Sequence, residues 1–136
     1  MIVIDASATI ALLLNEDAVL EPNTQIAALA EETVIAPSHW AAEVGNALVI
    51  NVRRRRLEAT QLDLMIDRLE TLGIKPEPPP SFAELAAIAR QAIKLGLTYY
   101  DAAYVHKAQS RHATLFTFDR RMREVGMRLN IPVMPG

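Results

Sequence analysis

Short apolar runs alternate with longer stretches of helical period along the chain, and that alternation limits the fold more than any other feature. The runs are MIVID at residues 1–5, TVIAP at 33–37, ATLFTF at 113–118 and IPVM at 131–134. IKPEPPP at 74–80 holds at most a short strand before its prolines end it. Between the runs lie SATIALLLNE (7–16), QIAALAEE (25–32), SHWAAEVGNALVINVRRR (38–55) and ATQLDLMIDRLETLG (59–73). SFAELAAIARQAIKLG (81–96), TYYDAAYVHKAQSRH (98–112) and DRRMREVG (119–126) complete the set. Strands separated by helices pair in parallel, and parallel sheets are covered on both faces. The expectation is an α/β chain with a small, mainly parallel sheet flanked by helices. Helical spacing gathers Trp40, Val44, Ala47, Leu48 and Val52 on one face, and Leu62, Met65, Ile66 and Leu69 on another. Gly73 stops the latter helix, and Ser81 with Glu84 has capping-box spacing.

Four carboxylates stand among apolar residues. Asp5 ends the first run and Asp119 follows TLFTF, whereas Glu43 and Asp101 lie on helical stretches among alanines and large apolar side chains. Ionised carboxylates in such surroundings need a counter-charge or a partner. Open parallel sheets place ligand sites at the carboxyl ends of their strands, where Asp5 and Asp119 fall. With Glu43 and Asp101 near helix starts, all four can converge on one sheet edge. Such a cluster suits a hard divalent cation, Mg²⁺ or Mn²⁺, which prefers oxygen ligands. Each acid also has a plainer reading. Asp5 or Ser7 can cap the first helix, Thr98 and Asp101 have capping-box spacing, Asp119 can cap the helix after it, and Glu43 can be solvated.

At 136 residues and 51% hydrophobic, the chain is long enough for one domain with a sizeable core. It has no cysteine, which excludes disulfides and thiolate metal sites. No signal peptide or membrane-length apolar stretch is read in it, so a cytoplasmic protein is expected. Net charge is −2, and apart from the four acids the chain is mildly basic, with clusters at Arg53 to Arg56 and at Arg120, Arg121, Arg123 and Arg128. That distribution is compatible with a polyanionic substrate. Arg53, Arg54 and Arg55 are candidates for RNA phosphate contact, or else cations complementing a helix C-terminus. The phosphate-loop patterns GxxxxGK[ST] and GxGxxG are absent.

Four segments together resemble the PIN-domain ribonucleases, in particular the VapC-like toxins of toxin–antitoxin pairs. They are MIVIDASATIALLLNE with Asp5 and Ser7, HWAAEVGNAL with Glu43 and Asn46, LTYYDAAYVHKA with Asp101, and LFTFDRRM with Thr117 and Asp119. The resemblance spans essentially the whole chain, and the tetra-arginine is its one mild departure. It implies a single PIN domain over 1–136, built as a three-layer α/β sandwich, usually a homodimer. It implies Mg²⁺- or Mn²⁺-dependent endonucleolytic cleavage of RNA. It also implies a small antitoxin that covers the site. Asp5, Asp101 and Asp119 are then the metal ligands, with Glu43 completing the catalytic acids. Ser7, Thr117 and Asn46 would orient those carboxylates. A silent PIN-fold binding module is the alternative, and a receiver-like signalling domain is a more distant one. The receiver needs an acidic pair after its first strand and a lysine after its last, neither of which MIVIDASA or MPG provides.

Overall fold

The computed structural model describes residues 1–14 and 29–136. Its strands are β1 (Ile2–Ile4), β2 (Val34–Ala36), β3 (Lys75–Pro76), β4 (Thr114–Phe116) and β5 (Val133–Met134). Its helices, among the described residues, are α1 (Ala6–Leu14), α2 (Trp40–Arg53), α3 (Leu62–Thr71), α4 (Phe82–Leu95), α5 (Tyr99–Ser110) and α6 (Arg120–Arg128). The helical expectation at 25–28 and the end of the first helix at 15–16 lie outside the described residues.

The five strands of the described residues are all parallel, in the order β3-β2-β1-β4-β5. The chain builds outward from β1 to β3, then returns to β4 on the other side of β1. The order therefore reverses between β1 and β4, and loops leaving those two strands diverge and open a crevice. Register there is Ile2 with Thr114, Val3 with Leu115 and Ile4 with Phe116. It carries on past the strands, where the Asp5 N–H donates to the Phe116 carbonyl at 3.1 Å.

The strands are short but deeply covered. Val3, Ile4, Leu115 and Phe116 are fully buried, each stabilising the fold by about 1.5–3 kcal/mol. One helical group, α1 with α2 and α3, packs together, and α5 packs on β1 and β4 while touching α4 and α6. Trp40, Val44 and Leu48 supply the buried stripe of α2 as their spacing predicts. Tyr104, Val105 and Ala108 of α5 join the sheet core, while Ala102 and Ala103 pack with Ile88 and Ala92 of α4.

Two helix expectations change. The α2 helix stops at Arg53 instead of running to residue 55. Arg55 adopts a left-handed backbone (φ 59°), and the Arg56 N–H bonds back to the Asn51 carbonyl at 2.9 Å. That reversal lets Leu57 enter the core. On α3 only Met65 is buried, while Leu62 and Ile66 are exposed. This helix rests mainly on α1, so its covered stripe is narrow. The caps form as spaced: the Ser81 and Thr98 hydroxyls accept from the Glu84 and Asp101 N–H groups at 3.2 and 3.1 Å.

Candidate active site

A cleft of about 180 Å³ opens where β1 and β4 diverge, lined by Asp5, Ser7, Glu43, Asp101, Tyr104 and Asp119 among others. The four acids that stand far apart in sequence thus share one cavity. Each belongs to the start of a different helix. Asp5 caps α1, Glu43 lies in the first turn of α2, Asp101 in the first turn of α5, and Asp119 caps α6. Helix N-termini carry partial positive charge and unpaired N–H groups. Their convergence makes a crowd of carboxylates tolerable, and capping and site-forming prove compatible roles.

Asp5 is the most enclosed, at 3% exposure. Its Oδ1 accepts from the Ser7 hydroxyl at 2.7 Å and from the Ala8 N–H at 2.9 Å. Its Oδ2 accepts from the Thr117 hydroxyl. Burial pushes its pKa up to about 6, against the opposing pull of these donors, with a small further rise from Asp119. Thr9 donates to the Asp5 carbonyl at 2.8 Å and accepts from the Trp40 indole at 3.0 Å, which ties α2 to the end of β1.

Thr117 is fully buried, and its hydroxyl also accepts from the Asp119 N–H at 3.0 Å. Asp119 Oδ1 accepts from the Met122 N–H at 2.9 Å. Ser7 accepts from the Phe118 N–H at 3.1 Å, a second link between the β1 and β4 loops. Arg123 donates to the Thr117 carbonyl at 2.9 Å and to the Pro135 carbonyl, so this arginine braces the strand end instead of facing solvent.

Asp101 is half-buried. Its pKa is raised, first by burial, then by the charges of Asp119 and Glu43. Glu43 moves the other way. Burial pushes it up, but hydrogen bonds from His39 and Tyr104 outweigh that and hold it below the ordinary range. Mutual repulsion, the simplest expectation for clustered acids, is therefore secondary here to burial and to specific donors.

Asn46 is exposed on α2, and the groups that hold Glu43 are the Tyr104 hydroxyl at 2.6 Å and His39 Nε2 at 3.2 Å. Tyr104 lies one turn beyond Asp101 on the same helix, a spacing that could have drawn attention to it. His39 stands four residues before Glu43, the i, i+4 spacing that brings helical neighbours together. Arg53, Arg54 and Arg55 are exposed at the far end of α2, roughly 15 Å from Glu43 at 1.5 Å per residue. Arg56 instead lines a neighbouring groove of about 440 Å³ with Ala6, Ile10, Ala11, Ala47 and Asn51. Ser7 lines both groove and cleft. A third cavity, about 240 Å³, lies beyond His39 among Pro78, Pro79, Leu85, Tyr99 and His106.

The family model of the PIN domain matches residues 2–127 of this chain. The chain belongs to the PIN-domain family. Within it, the chain is similar to Ribonuclease VapC3 of Pyrobaculum aerophilum, 32% identical over 90% of this chain and 92% of that one. It is also 32% identical to Exonuclease VapC9 of the same organism, over 59% of this chain and 57% of that protein. The crystal structure of PAE2754 from Pyrobaculum aerophilum superposes with a TM-score of 0.68 at 24% identity, covering 95% and 94% of the two chains. That of FitAcB from Neisseria gonorrhoeae gives 0.53 at 23% identity, covering 98% and 96%. Both likenesses establish the fold. Among the described residues no helix is long and apolar enough to cross a membrane.

Proposed function

We propose that this chain is a Mg²⁺- or Mn²⁺-dependent endoribonuclease, acting as the toxin of a toxin–antitoxin pair. The observation that carries the reading is the meeting of Asp5, Glu43, Asp101 and Asp119 in one cleft. The relative that bears the name Ribonuclease VapC3 supports it.

The donor set fits a hydrated hard cation. It is all oxygen, although among the described residues no three His, Cys, Asp or Glu are grouped closely enough to hold an ion by themselves. Mg²⁺ characteristically keeps several waters and uses one or two carboxylates with substrate phosphate. Asp5, Asp101 and Asp119 would hold the ion. When bound, it supplies charge neutralisation at the phosphate and a more acidic water. Glu43, held below the ordinary carboxylate range by its donors, would accept the proton of the attacking water. Ser7 and Thr117 fix the Asp5 carboxylate by direct donation.

Two partners belong to the same proposal. The apolar groove between α1 and α2 suits an antitoxin segment, which would reach the acids past Ser7. The α4 helix exposes Phe82 (90%) and Ile93 (83%), a face suited to a second copy of the chain.

The test is incubation of purified protein, free of partner, with an RNA pool plus Mg²⁺, Mn²⁺ or EDTA. Metal-dependent cleavage is expected, and cleavage that survives EDTA overturns the mechanism. The relative named an exonuclease favours end-directed degradation as a second reading. Circular RNA separates the two, because only an endonuclease opens it.

A further inference from the structure

The contacts of Glu43 point to a device that the four acids alone do not explain. Its Oε1 receives the Tyr104 hydroxyl at 2.6 Å and lies 3.2 Å from His39 Nε2. The same nitrogen lies 3.1 Å from the Tyr100 carbonyl. Both neighbours of Nε2 are acceptors, so this nitrogen carries a proton and shares it between them. The imidazole is held in turn by aromatic edges, 4.9 Å from the Tyr104 ring and 5.5 Å from that of Tyr100. No hydrogen bond engages Oε2 among the described residues.

We propose that Tyr104 and His39 are positioning residues for Glu43. They bind its Oε1 from two sides, fix the plane of the carboxylate, and leave Oε2 to the reacting water. This rests on the nuclease reading above. A glutamate has three rotatable side-chain bonds, and a base that wanders by an ångström loses much of its effect. The clamp removes that freedom with groups from two helices. His39 precedes α2 by one residue and meets Glu43 one turn on. Tyr104 comes from α5, one turn after Asp101, so the clamp references Glu43 to the helix that carries a proposed metal ligand. The Tyr104 ring is almost fully buried, which makes its hydroxyl a fixed point. Burial, with Glu43 beside it, raises the phenol pKa and keeps the group a donor.

The experiment is a mutant cycle of Tyr104→Phe and Glu43→Gln, read by steady-state cleavage of one RNA and by proton NMR of the metal-free protein. Tyr104→Phe keeps the buried ring. It should lower kcat by about 10- to 100-fold and leave KM within about twofold, since a positioning group acts on the chemical step. In the Glu43→Gln background the same change should have almost no further effect, because residues that act as a unit are not additive. His39→Ala should also lower kcat, and His39→Gln, which keeps an N–H donor, should recover part of it. The NMR spectrum should contain a slowly exchanging, downfield hydroxyl proton that disappears in Tyr104→Phe and shifts in Glu43→Gln. A wild-type rate for Tyr104→Phe, or equal losses in both backgrounds, overturns the clamp. If the wild-type protein cleaves no RNA the nuclease reading fails, and the hydroxyl resonance alone then decides whether the clamp exists.

Discussion

At one end of α2 the Glu43 carboxylate is half-buried and gripped by groups from another helix and from its own N-terminal turn. At the other end Arg53 to Arg56 are exposed, and the ion pairs among the described residues involve other cations. In sequence the arginines are the louder feature, four in a row, whereas Glu43 is one acid among many. In space the weights reverse. The lesson is that a side chain acquires chemistry from what the topology brings against it. Four helix starts converge near Glu43, while the arginines meet mostly water.

The largest effect that would break this comparison lies at Asp5. Asp5→Asn keeps the helix cap and removes the most enclosed charge, so cleavage should fall by about 10³-fold or more. Circular dichroism should show an intact fold. A folded Asp5→Asn protein with wild-type activity would mean that the converged end is no more catalytic than the arginine end.

Next comes stability in metal-free protein. Burial lifts Asp5 to about 6 from an ordinary value near 3.8. Between those values the folded state holds more protons than the unfolded state, so stability falls as pH rises through that window. The loss is of the order of 3 kcal/mol at about 1.4 kcal/mol per unit. Urea melts at pH 4 and pH 7 should show the wild type losing stability between them, and Asp5→Asn losing less. A wild type that gains stability over this range would contradict the sign.

A smaller change is expected at Asp101, whose pKa is raised by burial and by its acidic neighbours. Asp101→Asn should leave the melting temperature of the metal-free protein unchanged or raise it slightly. A clear drop would show that the charge serves the α5 terminus more than it strains the cleft. The smallest effect belongs to the arginines. If Arg54 touches RNA, Arg54→Ala should weaken binding across sequences and reduce the salt slope by about one, with kcat preserved. A large loss of kcat would place the arginine end inside the chemistry and erase the contrast.

The fold was legible because short β-branched runs and helical periods differ in repeat, and alternation implies parallel pairing. The edges were less so. The end of α2 depends on Leu57 turning inward, and the exposed Leu62 and Ile66 reflect how little covers α3, facts of packing that no local period encodes. The acids could be picked out because carboxylates are awkward at strand ends, as with Asp5 and Asp119, and among apolar helical residues, as with Glu43 and Asp101. Asn46 drew attention as a neighbour in sequence, yet the groups that hold Glu43 are His39 and Tyr104, the latter 61 positions away. Ser7 and Thr117 could be anticipated beside Asp5, but the Thr9 to Trp40 relay could not, since a buried threonine and tryptophan look like ordinary core.

The pairing of β1 with β4 joins the first residues of the chain to some of the last, and Asp5 and Thr117 are 112 positions apart. During synthesis the amino-terminal acid emerges first and must wait for its partners. Until Thr117 and Asp119 have left the ribosome there is no hydroxyl on Asp5 Oδ2 and no fourth acid, so a growing or prematurely ended chain cannot assemble the cleft. Strand order thus makes the cleft depend on β4: without that strand and the loop after it, Asp5 lacks both its Thr117 donor and the neighbouring Asp119.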